Sequence, residues 1–342
     1  VQPVEPSHLA DQPVGEAARV AEGVYQLKVP VPLPLVFVSV YLIEGDNGWT
    51  IVDAGYEYPK TYEVWESGAR SIGLDLSEDV ARIVVTHFHP DHIGAARWLQ
   101  ERTGAPVYML EEEIPNARHV WESERNSDLF TGDMIRHGMP REMAEKAASG
   151  NRSGLRLPDD MRPLSAGEKL DVGGSAVRVI HAPGHAEYQL MLHDERRGIL
   201  YAADHLLLKI TPNVGLWPES RPRPLARYLD SITGLRSLDA SLILPGHGPV
   251  FHDLAGRIDE LLAHHDERLD AMLATLSDGP LTPYEVSRIV FRGGLSGYQK
   301  VFALAETLAH LEHLETQGRA RRSEDGVVRY GAADGSARER AV

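Results

Sequence analysis

The stretch VVTHFHPDHIG, Val84 to Gly94, puts three histidines and an aspartate within six residues, immediately after a β-branched apolar run. In an extended segment alternate side chains share a face, so His87 and His89 point the same way and one metal ion can meet both. Asp91 and His92 follow where the chain turns into a helix and can address a second ion nearby. A lone HxH pair is weak, because histidines near strand ends are often hydrogen-bonded core residues; HxHxDH is far more specific. Two ions need more than four groups, and the chain supplies them. His185 in HAPGHAEY follows the strand-like run Val177 to His181, Asp204 in YAADHLL follows Gly198 to Ala202, and His247 in LPGHGPV follows Leu242 to Leu244. Each sits just past a strand, in a loop of small or turn residues, where a sheet presents functional groups at one edge.

Composition narrows the chemistry. The chain has 342 residues, 42% of them hydrophobic, enough for one large core or a core with a satellite domain. Acidic residues outnumber basic ones 50 to 35, a net charge of −15, which argues against a nucleic-acid partner and leaves a small-molecule substrate. Cysteine is absent, so disulfides, thiolate zinc sites and cysteine nucleophiles are excluded, and a transition metal must be held by imidazole and carboxylate. No apolar run reaches the length of a membrane span, and residues 1–20 lack the basic and apolar regions of a signal peptide. The expectation is a soluble, cytoplasmic protein.

Along the chain, residues 1–22 read as an N-terminal tail or surface arm, rich in proline. Short β-like runs follow (VYQLKVP, VFVSVYLIEG, GWTIVDAG), then ARIVVTH, an amphipathic stretch from Ile93 to Arg102, and PVYML. Alternating strands and helices predict a layered α/β domain over residues 23–255. Residues 111–163 break that rhythm with charged segments of helical spacing and read as a helical insertion. A helix is expected from Leu225 to Leu238. Residues 256–342 form a C-terminal helical appendage. It opens with a long helix whose polar face carries His264 and His265. Next comes a helix with Thr282 as N-cap, Pro283 at its first position and Glu285 completing a capping box. A helix from about Tyr298 to Gln317, ended by Gly318, leads into a hairpin around Asp325 and Gly326. Helices followed by a small hairpin are winged-helix-like, and helices at this end make a homodimer the expectation.

HxHxDH, a single histidine in a PGH loop, an aspartate after a strand and a terminal GHG together resemble the metallo-β-lactamase-fold hydrolase superfamily. The signature covers Tyr41 to Gly248 in that superfamily's order, and TIVDAG, Thr50 to Gly55, matches a further motif. The resemblance implies an αββα sandwich, two facing sheets with helices outside. It implies one metal on His87, His89 and His185, a second on Asp91, His92 and His247, and Asp204 bridging them together with a water or hydroxide. Asp91 would orient that hydroxide and shuttle its proton, with Asp53 and Thr86 supporting the ligand histidines. Zinc is the default for so imidazole-rich a set, while iron and manganese suit mixed histidine and carboxylate sites.

Weaker readings concern single residues. His181, His193, His205 and His252 lie near the motifs; His205, beside Asp204, either reaches substrate or is packed. Tyr188 either hydrogen-bonds a substrate oxyanion or is a half-buried strand tyrosine. Trp217 and Trp121 either wall an acyl pocket or belong to the core. The Arg319, Arg321 and Arg322 cluster reads as packing or dimer contacts. The appendage, above all ETLAHLEHLETQGRARR, Glu306 to Arg322, resembles the C-terminal domain of a branch close to glyoxalase II-like and β-lactamase-like protein 2 enzymes. That branch implies a dinuclear hydrolase of an activated carbonyl, first a thioester of the acyl-CoA or acyl-glutathione type. A lactonase, including one for acyl-homoserine lactones, is the second reading. An endoribonuclease is the third, and an iron-dependent redox or sulfur-oxidising protein the fourth.

Overall fold

The computed structural model describes residues 14–32, 36–122, 127–149, 155–218 and 220–333, which fall into two compact units. The first comprises Val1–Ser123, Arg152–Pro212 and Gly234–Ile258. It is built on a seven-stranded sheet of β1 (Ala17–Ala21), β2 (Val24–Pro30), β3 (Phe37–Ile43), β4 (Trp49–Val52), β5 (Val80–Val84), β6 (Val107–Leu110) and β7 (Met161–Leu164), in chain order. β1 to β4 pair antiparallel and β4 to β7 parallel. The parallel half needs crossovers: α1 (Pro59–Ser71) precedes β5, α2 (Pro90–Ile93) and α3 (Ala96–Thr103) precede β6, and α4 (Glu113–Glu122) follows it.

A five-stranded sheet comes next in the chain, β8 (Lys169–Val172), β9 (Ser175–His181), β10 (Leu190–Asp194), β11 (Ile199–Ala203) and β12 (Leu242–Pro245). Only its β11–β12 pair is parallel. The two sheets share one apolar cluster, in which Tyr41, Ile43, Val52 and Val84 meet Val177, Val179, Leu192 and Tyr201. The other face of the larger sheet buries Leu27, Val40, Leu42 and Ile83 against Trp65 of α1 and Leu99 of α3. This is the layered α/β sandwich expected from the sequence.

α1 shows how the layers are fixed. Thr61, Val64, Trp65, Gly68 and Ala69 recur at helical spacing and are its buried residues. Trp65 is wholly enclosed and donates from Nε1 to the carbonyl of Ala54 at 2.8 Å. Removing so large a ring costs about 3–5 kcal/mol. A Cβ on Gly68 would lie 2.6 Å from Leu27 Cδ1, so any side chain here would force Leu27 to shift within the core.

The second unit takes Glu124–Asn151, Asn213–Thr233 and Asp259–Val342. It contains α5 (Ser127–Arg136), α6 (Arg141–Ala148), most of α7 (Pro224–Leu235) and of α8 (Leu254–Thr275), α9 (Pro283–Val290), α10 (Gly297–Thr316) and the hairpin β13 (Ala320–Asp325) and β14 (Val327–Ala332). Met134, Met139 and Ala144 pack with Tyr284, Val301, Leu304 and Leu308, which is why part of the insertion joins the C-terminal helices in one unit. The capping box of Thr282 and Glu285 is formed, and Ser296 with Gln299 makes a second one on α10.

Several elements differ from the sequence reading. Part of the expected N-terminal arm forms edge strand β1, while residues 1–13 lie outside the described residues. The last residues of the expected helical insertion form β7; MRPL is half exposed and contains a proline, a pattern tolerated at a sheet edge but lacking strand alternation. α7 stops three residues before the expected Leu238. His265 is 1% exposed and so is not on the polar face of α8.

Candidate metal centre

Four strand ends and one short helix bring the ligand-type residues together. His87 and His89 follow β5, Asp91 and His92 lie in α2, His185 lies between β9 and β10, and Asp204 and His247 follow β11 and β12. One atom from each of His87, His89 and His185 lies within 4.8 Å of the others, and the same holds for Asp91, His92 and His247. Asp204 stands between these groups: Oδ1 is 3.4 Å from His92 Nε2, and Oδ2 is 3.5 Å from His185 Nε2 and 3.4 Å from His247 Nε2. The residues singled out as ligands in the sequence are therefore all gathered in one place.

Hydrogen bonds behind the rings fix which nitrogen faces inward. Asp53 accepts from Thr86 N–H at 2.8 Å, from Thr86 Oγ1 at 3.0 Å and from His92 Nδ1 at 2.8 Å. With its own proton given to Asp53, Thr86 Oγ1 accepts from His87 Nδ1 at 2.9 Å. His247 Nδ1 donates to the carbonyl of Phe37 at 2.9 Å. His87, His92 and His247 are thereby held with Nδ1 donating away from the cluster and Nε2 facing into it, the ring orientation a metal requires. Asp53 and Thr86, expected beside the ligand-type histidines, hydrogen-bond to His92 and His87.

The backbone is shaped to the same end. Asp53 (φ +64°) and Ala203 (φ +46°) adopt left-handed conformations, a strain of about 1–3 kcal/mol each for residues with a side chain. Backbone bonds hold them there, Asp53 N–H to Val84 O at 2.9 Å and Gly246 N–H to Ala203 O at 2.8 Å. A Cβ on Gly246 would lie 2.2 Å from Asp204 Oδ1 and 2.9 Å from His92 Cε1, so the glycine opens the space in which these two meet. β3 anchors the His247 loop twice more, through Ser39 N–H to Gly246 O at 2.7 Å and Tyr41 OH to Pro245 O at 2.7 Å.

Electrostatics test whether cations fit. Burial pushes His87 well below the ordinary imidazole range and takes His89 down to about 3. Burial acts the same way on His92 and His247, yet nearby carboxylates outweigh it. Asp204, Asp53 and Asp91 hold His92 well above its usual value, and Asp204 with Asp91 pushes His247 up to about 10. Against the upward push of burial, His92 and His247 hold Asp91 and Asp204 below the usual carboxylate range. His247 Nε2 faces Asp91 Oδ2 at 3.1 Å, yet the Nε2 atoms of His92 and His247 and Oδ1 of Asp204 are buried without a hydrogen bond. Acceptors facing acceptors repel until a proton or a cation lies between them. The donor set of imidazole nitrogens and carboxylates fits divalent cations, whose binding displaces those protons.

The profile described as the metallo-β-lactamase superfamily matches residues 33–247, a span holding every one of these ligand-type residues. The chain belongs to the metallo-β-lactamase superfamily. A second profile, the metallo-β-lactamase-like C-terminal domain, matches residues 269–333. The chain is similar to a metallo-β-lactamase family protein from Thermus thermophilus, at 36% identity and TM-score 0.82, over 92% of this chain and 100% of that one. It is also similar to a β-lactamase domain protein from Burkholderia ambifaria, at 32% identity and TM-score 0.83, over 96% and 97%. A probable metallo-hydrolase of Bacillus subtilis, YqjP, is 25% identical over 86% of this chain and 93% of its own length.

The weaker sequence readings divide. His205 is fully buried, and burial, with His185 and His181 nearby, holds it down to about 3, so its ring is packed. Tyr188 packs at the edge of the inter-sheet core and stacks on His181 at 6.3 Å. Trp217 lies in the second unit, edge-on to Phe302 at 5.2 Å, and Trp121 donates to the carbonyl of Phe88 at 2.8 Å. Arg319 pairs with Asp270 at 2.6 Å and Arg322 with Glu324 at 2.8 Å. Sequence reading missed Phe37, Tyr41 and Gly246 as parts of the site. Only Gly246 carried a signal, a glycine between a proline and a ligand-type histidine.

Proposed function

We propose that this protein is a dinuclear metal-dependent hydrolase of an activated carbonyl, and that the carbonyl belongs to a thioester of the acyl-CoA or acyl-glutathione type. The observation that carries the dinuclear reading is the pair of three-residue groups with Asp204 between them. Two divalent cations held there would supply a water that loses its proton near neutral pH and a Lewis acid for the substrate oxygen; zinc is the default, iron and manganese the alternatives. His87, His89 and His185 would hold one, Asp91, His92 and His247 the other, with Asp204 shared. Asp91 is the residue placed to accept the attacking water's proton, since its carboxylate lies inside the ligand cluster and is held ionised by its histidine neighbours. A thioester suits these groups because its thiolate leaves without needing a proton, and the carboxylates here are acceptors.

The test is turnover by purified, metal-quantified protein on matched thioester, lactone and RNA substrates, before and after chelation and reloading. Thiol release lost on chelation and restored by metal is the expected result. Lactone opening alone, or RNA cleavage alone, overturns the thioester assignment while leaving the metal centre in place.

A further inference from the structure

Phe88 stands between the two histidines of the HxH pair, and a single helix holds both of its peptide groups. Its N–H donates to Glu113 Oε1 at 2.8 Å, and its carbonyl accepts from Trp121 Nε1 at 2.8 Å. Glu113 and Trp121 are about two turns apart on α4. The N–H belongs to the peptide plane joining His87 to Phe88 and the carbonyl to the plane joining Phe88 to His89. Since each plane is rigid, two hydrogen bonds fix the whole linker between the two histidines.

Glu113 is an expensive residue for ordinary packing. It is 0% exposed, its Oε2 accepts from Asn116 Nδ2 at 2.8 Å, and among the described residues no lysine or arginine pairs with it. Burial pushes its carboxyl up to about 8, against the lowering by its two hydrogen bonds. A buried acid costs free energy unless its bonds are needed where they are. Here one of them ends on the N–H of Phe88, the residue that spaces two ligand-type histidines.

We propose that Glu113 and Trp121 are positioning residues of the metal centre, with α4 clamping Phe88 so that His87 Nε2 and His89 Nδ1 stand 3.0 Å apart. Two nitrogens bound to one ion at about 2.0–2.1 Å sit about this far apart, so the clamp presets half of one coordination shell. The inference rests on the dinuclear reading above and adds that α4, the start of the insertion, belongs to the machinery of the site.

The experiment uses the full chain, stripped of metal and titrated with Zn²⁺ against a chromophoric chelator, then with Co²⁺ to follow the visible spectrum. Glu113→Ala is expected to weaken one of two equivalents about 10–100-fold and to alter the Co²⁺ bands of that equivalent alone. Trp121→Phe should weaken the same equivalent by less, and Glu113→Gln, which keeps an oxygen toward Phe88 N–H, should restore it. A purely structural role would lower the melting temperature without moving the Co²⁺ spectrum. Wild-type affinity for both equivalents in Glu113→Ala, or in Trp121→Phe should the alanine variant not fold, overturns the clamp. Fewer than two equivalents in the wild-type chain overturns the dinuclear reading instead.

Discussion

Each unit of the molecule holds a pair of histidine rings with nitrogens in contact, and the two pairs have different neighbours. In the first unit His87 Nε2 meets His89 Nδ1 at 3.0 Å; in the second, His265 Nδ1 meets His310 Nε2 at 3.1 Å. His310 donates from Nδ1 to the Glu306 carbonyl at 2.7 Å, so its Nε2 is an acceptor and His265 Nδ1 must be the donor. The second pair is thus a relay of neutral hydrogen bonds ending on a backbone carbonyl. Burial takes its members down to about 2 and about 3. In the first unit Asp91 and Asp204 face His92 and His247, whose Nε2 atoms are buried among these carboxylates without a hydrogen bond. Close nitrogens alone do not make a candidate metal centre; the first cluster adds carboxylates set among several inward-facing rings.

The comparison can be broken most directly by removing ligand-type residues. Asp91→Asn and His185→Ala should each lower kcat by about 10²–10⁴-fold with the fold intact, measured by steady-state turnover at verified metal content. Wild-type rates from both would refute the roles given to the first cluster. Gly246→Ala should weaken metal binding about 10–100-fold, because its Cβ displaces Asp204 and His92; chelator competition measures this.

Acidification sharpens the contrast from the other side. His265 and His310 have folded-state values depressed below the unfolded value of about 6.5, so the unfolded chain binds more protons. Their stabilisation is complete above that pH and is lost as pH falls from about 6.5 toward 3, by about 1.4 kcal/mol per pH unit for each histidine protonated on unfolding. Denaturant melts at pH 7.5 and 5.5 test this, and a His310→Leu variant should flatten the dependence. The smallest expected effect is on metal: His310→Leu should bind both equivalents with wild-type affinity, and a lost equivalent would place the second cluster among metal sites.

Much of the candidate site was legible because its ligand-type residues follow strands in short, punctuated motifs. The HxHxDH segment and the loops around His185, Asp204 and His247 needed only the rule that strand ends share an edge. The capping box of Thr282 was legible for the same local reason. His265 was not, since a helix rich in acids and histidines gives no sign of which polar residue turns inward. β1 and β7 were missed because edge strands are paired on one side and need no alternation of burial. Glu113 lies in an undistinguished run of three glutamates, and its contact with Phe88 spans 25 residues.

The sequence by itself determined the class of fold, the inventory of ligand-type residues and the exclusion of cysteine chemistry, because these depend on residue type and on spacing within a few residues. Tertiary structure alone decided which nitrogen of each ring faces inward, where glycine must leave room, and which buried histidines have carboxylates to oppose them. Those properties depend on groups brought together from distant strands, and no local pattern encodes the partner across the sheet.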